Sequence, residues 1–441
     1  MTSEGYQTIY TQPLPQGSHA SASPIATSPG AYPPPTGQPP IPQPHVQIPH
    51  GAPGFPGATS PGFPVAAVPV GTPYQPAYHL QHQPAHIYYN GVLVPNPDAP
   101  LAAHGMRKVA NYDPQTDFEV LKSAKKGGTG MLGIGSGWND TTLMKMLTER
   151  NILEIDALAD DWASKTGQML ADYLPSKTAI NSWFYEVIHA LALGPLGYDV
   201  ELARRATIGV GTDESLLMEL LLNRSNSDIE ILKRAYTKRY GSNLTQEVKG
   251  DLSNATKAMY SMALMAQRPQ QLPGQVDYMQ VEKDVDDLNA HGLGKGTKFD
   301  EIFFCQVFVN RSDPHIAAMI DRYGQKYKSL SKVIKSVPAF SKDMKQGLLY
   351  IIHGVKSKRN RTEPFGTWRD AKLLEKAMAG AGTNDKALVY RIVRASWNLA
   401  RMKAIKECYR LRYGQELEKR VKGETSGNYK TIMTQLVAKA R

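Results

Sequence analysis

The sequence predicts an all-α core of four repeated units, preceded by a long tail without secondary structure. Three observations lead to this prediction. A glycine-containing loop recurs four times in the last three quarters of the chain. The segments after each loop carry apolar residues at helical spacing, and sustained two-residue alternation is absent. The first hundred residues, by contrast, are rich in proline, glycine and tyrosine.

The predicted tail covers residues 1–105. Residues 1–100 contain 23 of the 31 prolines and no lysine or arginine, and their only acidic residues are Glu4 and Asp98. Stretches such as AYPPPTGQPP cannot bury enough apolar surface to offset the entropy lost on ordering. We therefore expect the tail to be disordered and partly polyproline, with no helix or strand and little contribution to folding.

The charged residues are divided unevenly along the chain. The 341 residues after the first hundred carry 51 basic and 38 acidic side chains, a net charge of +13. This excess favours an anionic partner, either an acidic membrane surface or a nucleic acid. The two cysteines, Cys305 and Cys408, argue against a disulfide-stapled secreted fold and indicate a reducing compartment. Without a signal peptide or an apolar stretch of about 20 residues, we expect a soluble cytoplasmic protein.

The second glycine of each loop marks the repeat. These glycines are Gly137, Gly211, Gly296 and Gly382, separated by 74, 85 and 86 residues. We place the four units at residues 106–195, 196–270, 271–362 and 363–441. Polar joints divide each unit into several short helices, so each unit is predicted to be a small helical bundle.

In unit two the loop reads IGVGTDESLL, at residues 208–217. Thr212 can cap the helix that follows, and the next two acidic residues suit the positive end of its dipole. The glycines permit backbone angles that side chains forbid, so the loop carbonyls can turn toward a common point. The lysine of a phosphate-binding loop does not follow. The loop alone does not decide between an anion and a hard cation.

A carboxylate recurs at nearly the same distance after two of the loops. Asp251 follows Thr212 with 38 residues between them, and Glu424 follows Thr383 with 40. Calcium takes hard oxygen ligands, some neutral and one bidentate. Loop carbonyls and a carboxylate together therefore predict calcium sites in units two and four. They are not EF-hands, because the D-x-[DN]-x-[DN]-G loop is missing from the sequence.

With these motifs the chain resembles the annexin family over nearly all of residues 110–441. The resemblance rests on GxGT followed 38 to 40 residues later by Asp or Glu, in four units. It implies a curved disc of four five-helix repeats that binds acidic phospholipid, such as phosphatidylserine, through its convex face when calcium is present. The proline- and tyrosine-rich tail is similar to those of long-tailed annexins, including fungal and slime-mould members.

The resemblance also implies which residues hold calcium. In unit two they are the carbonyls of Thr207, Gly209 and Gly211 with the carboxylate of Asp251. In unit four they are the carbonyls of Met378, Gly380 and Gly382 with the carboxylate of Glu424. Glu214 and Asp385 stand where the family sometimes has an accessory site, and a role as helix-dipole partners alone is the alternative.

Units one and three depart from the pattern. In unit three the position of the carboxylate falls near Val337, and Thr297 with Asp300 predicts an ordinary capping box, which favours a structural role. In unit one Trp138 replaces the threonine, and Lys177 lies near the expected acid, where it would repel a cation. The predicted calcium sites are therefore confined to units two and four.

Direct membrane contact is predicted for the loop tips. Val210 and Ala381 lie between the loop glycines, and Trp138 is a candidate either for anchoring at the interface or for packing within unit one. Each calcium site has one firmly assigned charged ligand. We therefore expect weak binding of calcium alone, with Kd roughly 10⁻⁴ to 10⁻³ M, and lipid phosphate completing the coordination.

Catalytic motifs are missing, since neither HExxH, GxSxG nor zinc-ligand spacing occurs, so we expect a binding protein rather than an enzyme. The alternative function is a nucleic-acid or granule-binding scaffold that uses the basic core and the low-complexity tail. The lack of arginine in the tail and of an aromatic-basic motif disfavours nucleic acid. The tail is expected to recruit a protein partner or to self-associate. We expect a monomer in solution that binds reversibly to the cytosolic face of membranes, with assembly there left open.

Overall fold

A computed structural model describes residues 84–99, 109–126, 137–175, 182–209, 211–249, 254–294, 299–356 and 363–440. These residues fall in one structural unit, Gln75–Arg441. Most of them are helical, which confirms the predicted all-α class. The disorder predicted for residues 1–83 lies outside the described residues. No helix in the described part of the chain is long and apolar enough to cross a membrane.

Two strands precede the helices, so the prediction that residues 1–105 lack secondary structure is wrong for part of that segment. Strand β1 (His86–Tyr89) pairs antiparallel with β2 (Val92–Pro95). Asn90 and Gly91 form the turn with φ angles of 51° and 74°, as a two-residue hairpin turn requires. Tyr89 and Val94 are buried, which gives this short segment the apolar contact that offsets the entropy of ordering.

The helices of units one and two are joined through one long element. Unit one contains α1 (Pro114–Lys126), α2 (Asp140–Glu149), α3 (Ile152–Thr166), α4 (Leu170–Tyr173) and the first half of α5 (Ser182–Thr207). Gly194 breaks α5 with a φ of 67°, immediately before Pro195. Unit two contains the second half of α5, α6 (Glu214–Leu221), α7 (Asn226–Tyr240), α8 (Leu244–Val248) and α9 (Asn254–Leu264).

Units three and four repeat this arrangement. Unit three contains α10 (Tyr278–Leu288), α11 (Glu301–Asn310), α12 (Asp313–Lys326), α13 (Leu330–Ser336) and α14 (Lys342–Val355). Unit four contains α15 (Thr367–Met378), α16 (Asp385–Ser396), α17 (Leu399–Tyr413), α18 (Leu417–Glu424) and α19 (Gly427–Ala438). Counting each half of α5 separately, the described residues give every unit five α-helices, and unit three also contains a 3-10 helix (Pro273–Gln275) and a π-helix (Asn289–Leu293). Their apolar faces form a continuous core.

Buried ion pairs join unit two to unit four. Glu219 accepts hydrogen bonds from the Arg391 guanidinium, with Nε at 3.1 Å from both carboxylate oxygens. Asp199 accepts from Arg394 Nε at 2.7 Å, and the Tyr89 hydroxyl of β1 donates to the same carboxylate at 2.8 Å. Since each buried carboxylate meets a guanidinium, attraction compensates for much of the desolvation. The hairpin is thereby attached to the contact between the two units that carry the candidate sites.

Candidate metal centre

The glycines in the loops of units two and four have similar backbone angles. Gly209 and Gly211 have φ angles of 106° and 84°, and Gly380 and Gly382 have φ angles of 107° and 98°. These angles strain any residue with a side chain. A Cβ added at any of the four glycines would meet no heavy atom within 4 Å. The backbone angle, rather than crowding, is therefore the reason for glycine.

A backbone hydrogen bond closes each of these loops. The amide of Asp213 donates to the carbonyl of Ala206 at 3.0 Å, and the amide of Asn384 donates to the carbonyl of Ala377 at 2.8 Å. Both bonds join the residue before the second helix to the last turn of the first. Equivalent backbone hydrogen bonds therefore close the loops of the two units, as the repeated sequence predicts.

The helix after the unit-two loop is capped by Asp213, so the prediction that Thr212 caps it is wrong. Asp213 Oδ1 accepts from the amide of Leu216 at 3.0 Å. In unit four Asn384 has the same role and accepts from the amide of Ala387 at 3.1 Å. The loops close through the amides of Asp213 and Asn384. Each helix therefore begins one residue later than it would if the preceding threonine were the cap.

In unit four the structure brings the loop and the carboxylate together. The Thr383 hydroxyl donates to Glu424 Oε2 at 2.6 Å. The guanidinium of Arg420 donates both to Glu424 Oε1 and to the carbonyl of Met378. Two predicted ligands, Met378 and Glu424, therefore surround one cationic group. The sequence analysis missed Arg420, although its position four residues before Glu424 in a helix is a signal for an ion pair.

The electrostatics of unit four suit a cation bound by oxygen. The hydrogen bond from Thr383 lowers the pKa of Glu424, and the guanidinium of Arg420 lowers it further. Burial raises the pKa of Asp385, and the nearby negative charge of Glu424 also raises it. Carbonyl and carboxylate oxygens are hard donors of the kind that calcium prefers, so the residues present fit this ion.

Neutral oxygens would have to supply most of the ligands. Within the described ranges, no group of three or more His, Cys, Asp or Glu side chains is placed to hold a metal ion. The loop carbonyls of Gly380 and Gly382 are the available neutral donors beside Met378. A site of this kind has little formal charge, which agrees with weak binding of the ion alone.

In unit two the structure describes only part of the predicted site. Thr207 ends α5, and the two loop glycines follow it. Glu214 lies in the first turn of α6, where its carbonyl accepts from the Tyr260 hydroxyl at 2.8 Å. The predicted carboxylate, Asp251, and the predicted membrane contact, Val210, lie outside the described residues. Their roles stay predictions from the sequence.

The described residues around the loop glycines are open to solvent. Ile208 is 51% exposed beside the first glycine of unit two, and Ala381 is exposed between the glycines of unit four. Lys249 and Lys422, next to the carboxylate segments, are exposed as well. The sequence analysis did not select Ile208, although an apolar residue in a polar loop was the available signal. Exposed apolar side chains therefore occur in the loops, and exposed basic side chains occur in the segments that lead to the carboxylates.

In unit one Trp138 packs against its own unit. Its ring meets Tyr173 edge to face with a centroid distance of 5.2 Å, and Lys125 Nζ lies 5.7 Å from its centroid. The tryptophan is half-buried by these contacts. Lys177, predicted to repel a cation, lies outside the described residues. Of the two predicted roles for Trp138, these contacts favour packing.

In unit three the loop is longer and its helix is capped differently from the prediction. The amide of Asp300 donates to the carbonyl of His291 at 3.1 Å, so the closed loop is two residues longer than in units two and four. Asp300 Oδ1 accepts from the amide of Phe303 at 3.0 Å. Asp300 is therefore the cap, and the predicted capping box begun by Thr297 is wrong, although Thr297 itself lies outside the described residues. Val337 directly follows α13 and is partly buried.

Comparison with known proteins agrees with this geometry. A family model described as Annexin matches residues 198–262 and 369–436, which lie in units two and four. Annexin C1 of Cryptococcus neoformans var. grubii is 36% identical over 351 residues, which cover 79% of this chain and 70% of the relative. The chain belongs to the annexin family. Annexin A7 of Dictyostelium discoideum is 31% identical over 329 residues, which cover 74% of this annexin and 65% of the relative.

Solved structures show the same fold. The structure of annexin III matches with a TM-score of 0.64 at 24% identity and covers 76% of this annexin and 96% of that chain. A mutant of annexin A8 with an intact N-terminus also matches with a TM-score of 0.64, at 26% identity, and covers 76% of this annexin and 97% of that chain. The resemblance to annexins is therefore confirmed for the family and for the fold.

Proposed function

We propose that this annexin binds acidic phospholipid membranes through calcium ions held in units two and four. Calcium-dependent phospholipid binding is the property for which the family is known. The observation that carries the proposal is the arrangement in unit four, where Met378 and Glu424 direct a carbonyl and a carboxylate toward one cationic group. The matching glycine angles in unit two support an equivalent loop there.

The residues that would hold the ion differ little between the two units. Unit two would use the carbonyls of Thr207, Gly209 and Gly211 with the carboxylate of Asp251. Unit four would use the carbonyls of Met378, Gly380 and Gly382 with the carboxylate of Glu424. Bound calcium supplies the positive charge that attracts a lipid phosphate, whose oxygens complete the coordination. Glu214 and Asp385 lie in the first turn of the following helices, and they would act as accessory ligands.

The side chains around the loops support binding to a membrane surface. Ile208, Val210 and Ala381 would touch the headgroup region, while Lys249 and Lys422 each add about 1 kcal/mol of attraction near acidic lipid. Acidic lipids are concentrated in the cytosolic leaflet, so we place reversible peripheral binding there. Binding of this kind needs no catalytic group.

The tail has a separate proposed role. Its proline- and tyrosine-containing segments before residue 84 would capture a protein partner or associate with other tails through many weak contacts. This division leaves lipid binding to the helical core. Assembly on a bilayer, from a monomer in solution, would then depend on the tail.

Vesicle co-sedimentation tests the proposed function. The full chain is mixed with phosphatidylserine-containing vesicles in calcium or in chelator, each at two salt concentrations, with phosphatidylcholine vesicles as the control. We expect sedimentation with acidic vesicles in calcium and release by chelator. Equal binding in calcium and chelator, lost merely by raising the salt, would overturn the proposal and favour the alternative scaffold that binds anions by charge alone.

A further inference from the structure

The guanidinium of Arg420 lies among the predicted ligands of unit four. Its Nε is 3.4 Å from Glu375 Oε2 on α15, and its other two nitrogens donate to Glu424 and to the carbonyl of Met378. All three nitrogens are therefore engaged, and the side chain is 22% exposed. A planar guanidinium held by three oxygens has a fixed orientation. Arg420 is therefore held in a fixed position within this site and is not a mobile surface side chain.

Unit two contains the same ion pair with its charges reversed. Arg204 and Glu375 each stand three residues before the first carbonyl ligand of their units, and Glu247 and Arg420 each stand four residues before the carboxylate. In unit two Arg204 Nη1 lies 3.0 Å from Glu247 Oε1. The pair therefore joins equivalent helices in both units, but the basic residue has moved from the first helix to the fourth.

A tyrosine supports the pair in each unit. The Tyr236 hydroxyl accepts from Arg204 Nη1 at 3.3 Å, and the equivalent Tyr409 hydroxyl donates to the Glu375 carboxylate. A hydroxyl can serve either charge, because it both donates and accepts. The surrounding structure therefore tolerates either orientation of the pair, and exchanging the two charges is a conservative change to the packing.

The orientation decides which charge stands four residues before the carboxylate that would bind calcium. Glu247 has no N–H group on its side chain and cannot donate from it to a loop carbonyl, and its negative charge attracts a cation. Arg420 does the reverse, because it occupies two of the oxygens that calcium would need, those of Met378 and Glu424, and repels a second cation.

We propose that Arg420 is an internal cation that competes with calcium, so that the unit-four site binds calcium more weakly than the unit-two site. This inference rests on the proposed function, because it concerns calcium at the same ligands. Calcium entering unit four must break the bonds from Arg420 to Met378 and Glu424, while Glu375 retains the displaced guanidinium. As calcium rises, unit two fills before unit four.

Calorimetric titration with calcium alone, without lipid, tests this inference. In the full chain carrying Asp251→Ala, the titration reports unit four. Arg420→Gln should raise the calcium affinity at least about fivefold, the lower end of typical coupling between two ligands. Arg420→Lys keeps the positive charge and should change the calcium affinity less than Arg420→Gln does. The exchanged pair, Glu375→Arg with Arg420→Glu, restores an ion pair in the unit-two orientation and should also raise the calcium affinity. If Arg420→Gln does not fold, the exchanged pair tests whether Arg420 competes with calcium.

The reciprocal exchange in unit two is the matched experiment. In the full chain carrying Glu424→Ala, Arg204→Glu with Glu247→Arg puts an arginine four residues before Asp251, as Arg420 stands before Glu424, and should lower the calcium affinity at least about fivefold. Circular dichroism confirms that each exchanged pair has folded.

The outcomes separate the inference from the proposed function. The inference would be overturned if neither Arg420→Gln nor the exchanged pair changed the calcium affinity of unit four. If adding Glu424→Ala still abolished that calcium binding, the proposed function would stand. Loss of all calcium binding in the Asp251→Ala protein, unrestored by either change at Arg420, would overturn the proposed unit-four site. Calcium binding that is detected only after Arg420 is replaced would support both the inference and the proposed calcium site of unit four.

Discussion

Lys386 of unit four pairs with Asp213 of unit two, with Nζ 2.7 Å from Oδ2. Asp213 caps the helix after the unit-two loop, and Lys386 lies in the first turn of the helix after the unit-four loop. The helices that follow the two candidate calcium loops therefore begin next to each other. Since the two side chains are 49% and 32% exposed, the pair itself contributes at most about 1 kcal/mol.

This proximity predicts strong cooperation between the two sites on a membrane. Asp251→Ala and Glu424→Ala should each weaken calcium-dependent vesicle binding, and the double variant should nearly abolish it, because two linked sites gain about 10² to 10⁴ in avidity over one. Co-sedimentation over a range of calcium concentrations measures the effect. Val337→Ala, at the equivalent position of unit three, is the control and should bind as the wild type does. A double variant with wild-type calcium dependence would mean that units one and three contain further sites.

The hydroxyl of Thr383 should tune the unit-four site. It donates to Glu424 at 2.6 Å and orients the carboxylate, so Thr383→Val should lower calcium affinity by about tenfold, as loss of a group that orients a ligand typically does. Thr383→Ser keeps the hydroxyl and should retain most of the affinity. The measurement is calcium titration in the Asp251→Ala chain. Equal affinities for the valine and serine variants would show that the hydroxyl does not position Glu424.

The hairpin predicts that two truncations of the tail behave differently. Removing residues 1–83 should leave the thermal transition unchanged, whereas removing residues 1–105 should lower it by several degrees, because Tyr89 and Val94 are buried in the core. Tyr89→Phe should cost about 1 kcal/mol, since Asp199 loses one hydrogen bond but keeps its guanidinium partners. Circular dichroism during heating compares the full chain, the two truncations and the Tyr89→Phe variant. Identical transitions for the two truncations would contradict a stabilising role for the hairpin.

Asp199 predicts how stability depends on pH. Burial alone would raise the pKa of Asp199, but the charges of Arg394 and Arg224 outweigh burial, so this pKa lies below its ordinary value. A carboxyl whose pKa is lower in the folded protein stabilises it fully above the unfolded pKa of about 4, and this stabilisation is lost as pH falls through the folded value. We therefore expect the contribution of Asp199 to be constant from pH 7 to about pH 5 and to decline below pH 4.

Asp199→Asn tests this dependence. At pH 7 it should cost about 3–5 kcal/mol, because it leaves two buried guanidinium groups without their carboxylate. The difference from the wild type should shrink at pH 3, because the carboxyl of Asp199 binds a proton in the unfolded chain before it does so in the folded protein. Urea unfolding at both pH values gives the free energies, and Glu119→Gln at an exposed position is the control. A difference that stays the same at both pH values would contradict the pKa assignment.

Local patterns were sufficient to predict the helices and the loop glycines. The leucines of DESLLMELL repeat at helical spacing, and the structure places α6 over them. The positive φ angles of Gly209 and Gly211 follow from the residue type, because glycine alone adopts them without strain. The choice between Thr212 and Asp213 as the cap depended on which amide closes the loop, and the sequence does not contain that information.

Two features needed more than local composition. Asn90–Gly91 between apolar residues is a hairpin signal, but it was outweighed by the proline content averaged over the whole tail. The contact of Arg420 with Met378 depends on the packing of α18 beside α15, which no single segment specifies. The sequence does contain one indication of this contact, since the charges of the aligned pairs Arg204–Glu247 and Glu375–Arg420 are in reverse order.

The most direct test of a calcium bridge is the calcium affinity of the full chain with and without phosphatidylserine vesicles. If calcium joins loop carbonyls and Glu424 to lipid phosphate, the vesicles should raise calcium affinity, and calcium should raise vesicle affinity by the same factor. Phosphatidylcholine vesicles at the same concentration should leave the calcium affinity unchanged. Equal calcium affinities with and without acidic vesicles would contradict the bridge, even for a protein that still sediments with them.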